Sequence, residues 1–228
     1  MKAIKNARVR RVLRIVLPFI VIPAVAVAGI AVFGEKRHLF ISLLVAILSV
    51  LLFISGFEKS QTVARRLVIV SVMTALGVVG RFIPLFKPVT AMTVITSVYL
   101  GGEAGFLVGA LSALISNFYF GQGPWTAFQM LALGLIGLFA GYLSKILKKS
   151  RIALSLYGVL AGICYSLVMD VWTVLWYNDA FDTALYLSAV VTAIPHTVLY
   201  AVSNFAFLFI AAKPFGEKLE RIRIKYGI

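Results

Sequence analysis

The chain has 228 residues, of which 61% are apolar, and it carries a formal net charge of +14. Charged residues make up only 13% of it, about half the share of a soluble domain, and several apolar runs reach the roughly 18 residues that indicate a transmembrane helix. This composition excludes a soluble globular protein, and the alternating segments of a β-barrel are absent from the sequence. We therefore predict an all-α integral membrane protein with several spans.

Breaks at charged or Gly/Pro-rich points divide the chain into eight apolar segments. The fourth is short for a perpendicular span, so either neighbouring loop residues complete it or it inserts only partly. The eighth is long enough to tilt strongly or to continue past the bilayer surface. The segments cover approximately residues 14–33, 39–56, 67–83, 88–100, 104–119, 125–144, 152–176 and 183–212.

The first two segments differ from the later six, because almost no polar residues occur within them. Polar side chains inside a membrane are costly and usually mark function. We therefore predict a two-helix N-terminal membrane appendage at residues 1–60, followed by a six-helix functional core at residues 61–228 with a basic C-terminal tail. The stretch AVA at 24–26 resembles a signal-peptide cleavage site, but the apolar run continues to Phe33, so we expect a retained first helix.

Lysine and arginine are distributed asymmetrically along the chain. If all eight segments cross the membrane and the N-terminus is inside, all but four of the 22 basic residues fall on the cytoplasmic side; the exceptions are Lys36, Arg37, Arg81 and Lys87. The positive-inside rule then predicts that both termini are cytoplasmic, in a prokaryotic plasma membrane. The basic residues are placed to contact anionic lipid headgroups, and without a nucleic-acid recognition motif we expect no nucleic-acid partner.

The sequence lacks the motifs of common nucleotide-binding and hydrolytic sites. It contains no G-x-x-x-x-G-K-[ST], no H-E-x-x-H, no G-x-S-x-G and no clustered acidic pair. With only two histidines and eight acidic residues, a metal site is not expected. The single cysteine, Cys164, excludes an intrachain disulfide. We predict that the chain is not an enzyme and binds no cofactor of its own.

Polar and aromatic residues recur near the outer ends of the later segments. Asp170 shares a helix face with Tyr177, and His196 lies midway along the eighth segment. A concave site with aromatic walls and a few placed polar groups is typical of small-ligand binding. For single residues, an interfacial aromatic belt, a structural acceptor or an interhelical hydrogen bond are alternatives. The predicted ligand-binding residues are Asn117, Gln122, Trp125, Gln129, Asp170, Trp176, Tyr177 and His196.

The third segment carries small residues at helical spacing. In SVMTALGVVG, Ser71 and Ala75 are four residues apart, and Gly77 and Gly80 follow. Small residues at this spacing allow another helix to approach closely. That helix belongs either to this chain or to a separate membrane subunit, and we predict Ser71 and Ala75 as a partner interface.

Segments three to eight resemble the substrate-binding S-component of an energy-coupling factor (ECF) vitamin transporter. The resemblance rests on RFIPLFKPVTAMTVITSVYLGGEAGFLVGALSALISNF (81–118), with glycines at 101, 105 and 109, and on FGQGPWTAFQMLALGLIGLFAGYLSK (120–145). It covers about residues 64–215. The second stretch resembles S-components associated with cobalamin and related precursors. The first sixty residues depart from the six-helix pattern of the family.

The resemblance implies a function in ATP-driven uptake. The chain would capture a vitamin or precursor from outside, with a corrinoid as first candidate and queuine-like or pyrimidine precursors as alternatives. It would deliver its ligand by reorienting in the membrane, together with a transmembrane coupling subunit and two cytoplasmic ATPases that bind the ATP. Two alternatives stay open: a membrane enzyme acting on a lipid or isoprenoid with Asp170 and His196 as acid and base, and a stand-alone secondary transporter.

Overall fold

The computed structural model describes residues 4, 6–33, 37–57, 60–83, 88–178 and 181–227. In this part of the chain each predicted segment forms a helix, and seven helices are long and apolar enough to cross a membrane. The prediction of an all-α membrane protein is therefore confirmed. Helix α1 comprises Ala7–Val16, the π-helical turn Leu17–Val21 and Ile22–Phe33; the others are α2 His38–Ser55, α3 Ser60–Gly80, α4 Val89–Leu100, α5 Gly102–Phe120, α6 Trp125–Tyr142, α7 Arg151–Asn178 and α8 Thr183–Tyr226, with a one-turn helix Ser144–Leu147 before α7.

Local sequence explains where several helices begin and end. The Asn6 side chain accepts hydrogen bonds from the backbone N–H groups of Arg8 and Val9 and so caps α1. Asp182 caps α8 in the same way, at 2.7 Å from the Leu185 nitrogen. Gly121 ends α5 with a φ of 107°, a conformation that favours glycine.

Helix α4 can be shorter than a membrane span because other helices surround it. It has 12 residues, and all of them except Tyr99 are buried, since α4 packs against α3, α5, α6, α7 and α8. Pro88, before its first turn, lies against Gly80 at the end of α3. At its other end Arg66 Nη1 donates to the Leu100 carbonyl at 2.7 Å. The fourth segment is therefore a central helix antiparallel to α3, and not a lipid-facing span.

Polar groups collect at the two ends of the bundle. At one, called here the basic end, Arg14 of α1 forms an ion pair with Glu103 at the start of α5, and Lys148 lies 4.8 Å from the Tyr99 ring centroid. At the other, called the amide end, lie the side chains of Asn117, Gln122 and Gln129. Between the ends, the helices meet through apolar clusters.

The two N-terminal helices pack against one side of the later six. Helix α2 contacts α5 and α6, and α1 contacts α2 and α6. Their interface is apolar, with Ile41 and Val45 of α2 in one cluster with Phe106 and Ala110 of α5. The division into an appendage at 1–60 and a functional core at 61–228 stays a prediction.

Candidate ligand-binding site

Asn117 lies at the centre of a hydrogen-bond network at the amide end. Arg81 Nη1 donates to its Oδ1 at 2.8 Å, and its Nδ2 donates to Thr126 Oγ1 at 2.9 Å and to Gln129 Oε1 at 2.7 Å. Asn117 is only 1% exposed, so these hydrogen bonds satisfy a side chain that water does not reach. The network holds the end of α5 against the start of α6.

Gln122 belongs to the same network but is folded back onto the chain. Its Nε2 donates to the Leu114 carbonyl at 2.8 Å, and its Oε1 accepts from Thr126 Oγ1 at 3.0 Å. The stretch between α5 and α6 is therefore fixed by its own amides. Gln122 supports the shape of this wall, and its amide groups are already occupied.

Arg81 is a member of the network that the sequence did not indicate. Besides Asn117, its guanidinium donates to Ser116 Oγ, and it lies 4.9 Å from the Phe120 ring centroid. In the sequence it is one basic residue at the end of an apolar segment. The sequence indicated its role only through its position directly after α3, at the same level as Asn117.

A chain of aromatic contacts connects this network to α7 and α8. The Gln129 side chain lies next to the Tyr165 hydroxyl. The Tyr165 ring stacks on Tyr200, with centroids 5.4 Å apart and an interplanar angle of 6°, and Tyr200 lies 5.2 Å from the His196 ring. The predicted residues Gln129 and His196 are thus linked through two tyrosines that sequence analysis did not single out as ligand contacts.

Asp170 lies in a cleft between α7 and α8. It is 8% exposed, and its Oδ2 is buried with no hydrogen-bond partner among the described residues. The nearby hydroxyls of Thr173 and Thr192 are bonded to carbonyls of their own helices. The cleft holds about 370 Å³, and Asp170 also lines a separate cavity of about 280 Å³ between the same two helices. The polar residues that line the cleft are Asp170, Thr173, Tyr177, Ser188 and Thr192.

Aromatic side chains lie near the amide end of α6 and α7, and of these Tyr177 lines the cleft. Trp172 is buried and lies 5.0 Å from Phe128 of α6, and Trp176 lies 5.2 Å from Trp172 and is partly exposed. Tyr177 is largely exposed at the mouth of the cleft. Trp125 is also exposed, at the start of α6, where its ring covers Gly123.

The structure brings five of the eight predicted site residues into two separate groups, and Trp125, Trp176 and His196 belong to neither. One is the amide network, with Asn117, Gln122 and Gln129, and the other is the cleft with Asp170 and Tyr177. Asp170 and Trp172 are two positions apart and so point to opposite sides of α7. That all eight predicted residues contact one ligand stays a prediction.

The small residues of α3 serve two faces of that helix. Ser71 and Ala75 are exposed, and they line a shallow cavity of about 290 Å³ between α3 and α5. Gly77 and Gly80 instead point inward and pack closely against Ser112 and against the proline before α4. The outward face is open to a further helix, and its role as a partner interface stays a prediction.

Comparison with known proteins gives a family for this fold. The family model for the S component of an ECF-type riboflavin transporter matches residues 61–221. A UPF0397 protein of Aliivibrio salmonicida is 29% identical over 169 residues, which cover 66% of this chain and 91% of the relative. A UPF0397 protein of Vibrio atlanticus is 28% identical over 173 residues, covering 66% and 92%.

No solved structure matches the chain. Of the described residues, no three or more His, Cys, Asp or Glu side chains are grouped so that they could hold a metal ion. The family match extends over α3 to α8, the same six helices in which the sequence resembles ECF S-components. The chain therefore belongs to the family of S components of ECF-type riboflavin transporters, which are membrane substrate-binding subunits and not an enzyme family.

Proposed function

We propose that this S component binds a planar, heteroaromatic vitamin or vitamin precursor in the cleft between α7 and α8. The observation that carries the proposal is the buried Oδ2 of Asp170, which has no partner among the described residues. Buried polar groups are normally hydrogen-bonded, so a ligand that brings an N–H or O–H donor completes the site.

Riboflavin is the first ligand to test, since the matching family is named for it. Its ring system has a flat face for Tyr177 and an imide N–H for Asp170, which both line the cleft, and its side chain carries several hydroxyls. The cleft of about 370 Å³ falls within the roughly 300–1,000 Å³ of typical small-ligand sites. The amide network lies outside the cleft and would act on it only through α6, which packs against α7.

The corrinoid that the sequence resemblance favours is a much larger molecule. Binding cobalamin in a cleft of about 370 Å³ requires α7 and α8 to separate much further than binding a flavin does. We therefore place a flavin-sized ligand before cobalamin, and direct competition between the two distinguishes them.

The proposed orientation places the amide end outside and both termini in the cytoplasm. It is supported by the basic residues at the opposite end of the bundle, among them Arg14, Arg66 and Lys148, because cytoplasmic loops are enriched in lysine and arginine. The ligand then enters from outside, in the plasma membrane of a prokaryote.

We further propose that a transmembrane coupling subunit docks on the face with Ser71 and Ala75, and that two cytoplasmic ATPases supply the energy. ATP is bound by those partners, so this chain needs no cofactor. The occupied site reaches the inner face when the S component reorients in the membrane. Few fixed charges lie at mid-bilayer, which lowers the cost of that movement.

The enzyme and secondary-transporter alternatives receive less support. His196 is not among the described residues that line either cleft containing Asp170, which weakens the case for an acid–base pair. A stand-alone transporter predicts uptake into liposomes without partners or ATP. We expect no such uptake.

The test is a fluorescence titration of riboflavin with purified protein in nanodiscs. Saturable binding at micromolar or lower concentration is expected, and Asp170→Asn should weaken it by about tenfold or more, because hydrogen bonds to charged groups contribute about 1.5–3 kcal/mol. Asp182→Asn is the matched control, since asparagine also caps helices well, and its affinity should stay within about twofold. Equal affinities of wild type and Asp170→Asn for riboflavin would refute the site. If neither riboflavin nor cobalamin bound saturably, the proposed function would be refuted.

A further inference from the structure

A further cavity lies at the basic end, outside the candidate ligand site. It holds about 560 Å³ and is called here the arginine pocket. Its walls come from three elements: the first turns of α1, the end of α2 and the end of α6. The lining residues are Ala7, Arg10, Arg11, Arg14, Ile15, Ser55, Gly56 and Tyr142.

The spacing of the arginines on α1 creates this pocket. Ala7, Arg10, Arg11 and Arg14 are at positions i, i+3, i+4 and i+7, and so share one helix face. Arg14 pairs with the buried carboxylate of Glu103 while its side chain remains 46% exposed, and Arg11 is exposed. Guanidinium groups bind phosphate oxygens through two parallel hydrogen bonds. The pocket therefore has the chemistry of a phosphate site.

A strip of aromatic side chains leads away from the arginine pocket. Tyr142 lines the pocket and lies 6.4 Å from Phe139, which lies 6.0 Å from Phe19 of α1, measured between ring centroids. All three side chains are exposed on the surface between α1 and α6. Phe19 belongs to the π-helical turn of α1. The wider turn rotates the later side chains of α1 relative to those of its first turns. This aromatic strip offers an apolar surface directly next to the cationic one.

We propose that the arginine pocket binds the phosphate group of an anionic phospholipid, with an acyl chain of that lipid along the aromatic strip. The juxtaposition selects an amphiphile, because a soluble phosphate gains nothing from the strip. Basic pockets between helices on the cytoplasmic side are suited to anionic headgroups. The inference rests on the proposed orientation and goes beyond the transport function.

The site joins the N-terminal helices to the six-helix core. A lipid phosphate on Arg11 and Arg14 contacts α1 directly and α6 through Tyr142, and the Arg14–Glu103 ion pair continues to α5. A ligand that binds only the folded state stabilises it. An anionic lipid in the pocket therefore stabilises the packing of the two N-terminal helices against the six-helix core.

The experiment is native mass spectrometry of the full chain in detergent, titrated with dioleoyl-phosphatidylglycerol, with dioleoyl-phosphatidylcholine as the neutral lipid. Arg11→Gln should weaken phosphatidylglycerol binding by about fivefold, the contribution of one basic residue near an anionic surface. Arg151→Gln, at the exposed start of α7, is the matched control and should leave the affinity within about twofold. Phe139→Ala should weaken binding by about threefold through lost apolar contact, whereas Phe209→Ala, an equally exposed phenylalanine of α8, should not.

Soluble sn-glycerol 3-phosphate and inorganic phosphate form the second arm. The proposal expects neither to compete with the lipid at equal concentration. Competition by either would overturn it in favour of a soluble-anion site, and equal effects of Arg11→Gln and Arg151→Gln would show only bulk attraction between a basic protein and an acidic lipid. Riboflavin affinity, measured on the same variants, should be unchanged, so failure of this proposal is distinguishable from failure of the transport function.

Discussion

Replacing Asn117 by alanine removes the centre of the amide network. Three hydrogen bonds disappear, one from the Arg81 guanidinium and two to Thr126 and Gln129. A bond involving a charged group contributes about 1.5–3 kcal/mol and a neutral one about 0.5–1.5 kcal/mol, while side-chain bonds between membrane helices average about 0.6 kcal/mol. Arg81 keeps Ser116 as a partner. We therefore expect a loss of about 2–4 kcal/mol in the free energy of unfolding.

The same substitution should also lower ligand affinity, because the network positions α6, and α6 packs against α7, one wall of the proposed cleft. We expect riboflavin to bind about tenfold more weakly. Thermal unfolding followed by tryptophan fluorescence measures the first effect, and the riboflavin titration measures the second. Both use the same purified sample.

Asn204→Ala is the matched control for this prediction. Asn204 is 0% exposed, and its Nδ2 donates to the Gly158 carbonyl at 3.2 Å, on the same pair of helices as the ligand cleft but nearer the basic end. It should cost about 1 kcal/mol in stability and leave riboflavin affinity within about twofold. If Asn117→Ala matched the wild type in both stability and affinity, the network would not support the site, and the reasoning would be wrong.

Three further predictions concern other parts of the chain. The double variant Ser71→Leu/Ala75→Leu should bind riboflavin normally but reduce uptake by cells about tenfold or more, because bulky side chains prevent close approach of a second helix; equal uptake would remove the proposed interface. Arg14→Ala should lower the free energy of unfolding by about 1–2 kcal/mol, because the buried Glu103 carboxylate loses its ion-pair partner while Arg14 itself is partly exposed. In thermal unfolding, the double variant Arg14→Ala/Glu103→Gln should recover most of the lost stability. Gly137→Ala should lower the melting temperature by several degrees, because a Cβ there lies 2.6 Å from the backbone of α5; an unchanged melting temperature would contradict this close helix contact.

The number and position of the helices were predictable, because apolar length and the charged breaks between segments are properties of the sequence itself. The fourth segment shows the limit of this method. Its 12 residues are too few for an exposed span, and only the packing of five other helices around it explains why that length suffices. A property that depends on tertiary neighbours cannot be obtained from hydropathy.

The candidate site was predictable in part for the same reason. Asn117 and Gln129 are amides in apolar segments, so they required partners, and the structure joins them directly. Arg81 resembles any basic residue at a membrane boundary, and Tyr165 resembles any core aromatic, so neither was identifiable without knowing which helices adjoin. The spacing of Asp170 and Trp172 already places them on opposite sides of α7, but which side faces α6 and which faces α8 follows from packing.

The measurement that tests the central claim most directly is native mass spectrometry of the purified protein incubated with an equimolar mixture of riboflavin and cobalamin. We predict one riboflavin per chain, no bound cobalamin, and loss of the complex in Asp170→Asn but not in Asp182→Asn. Binding of neither compound, or equal occupancy of the Asp170→Asn variant, would contradict a flavin site in the cleft between α7 and α8.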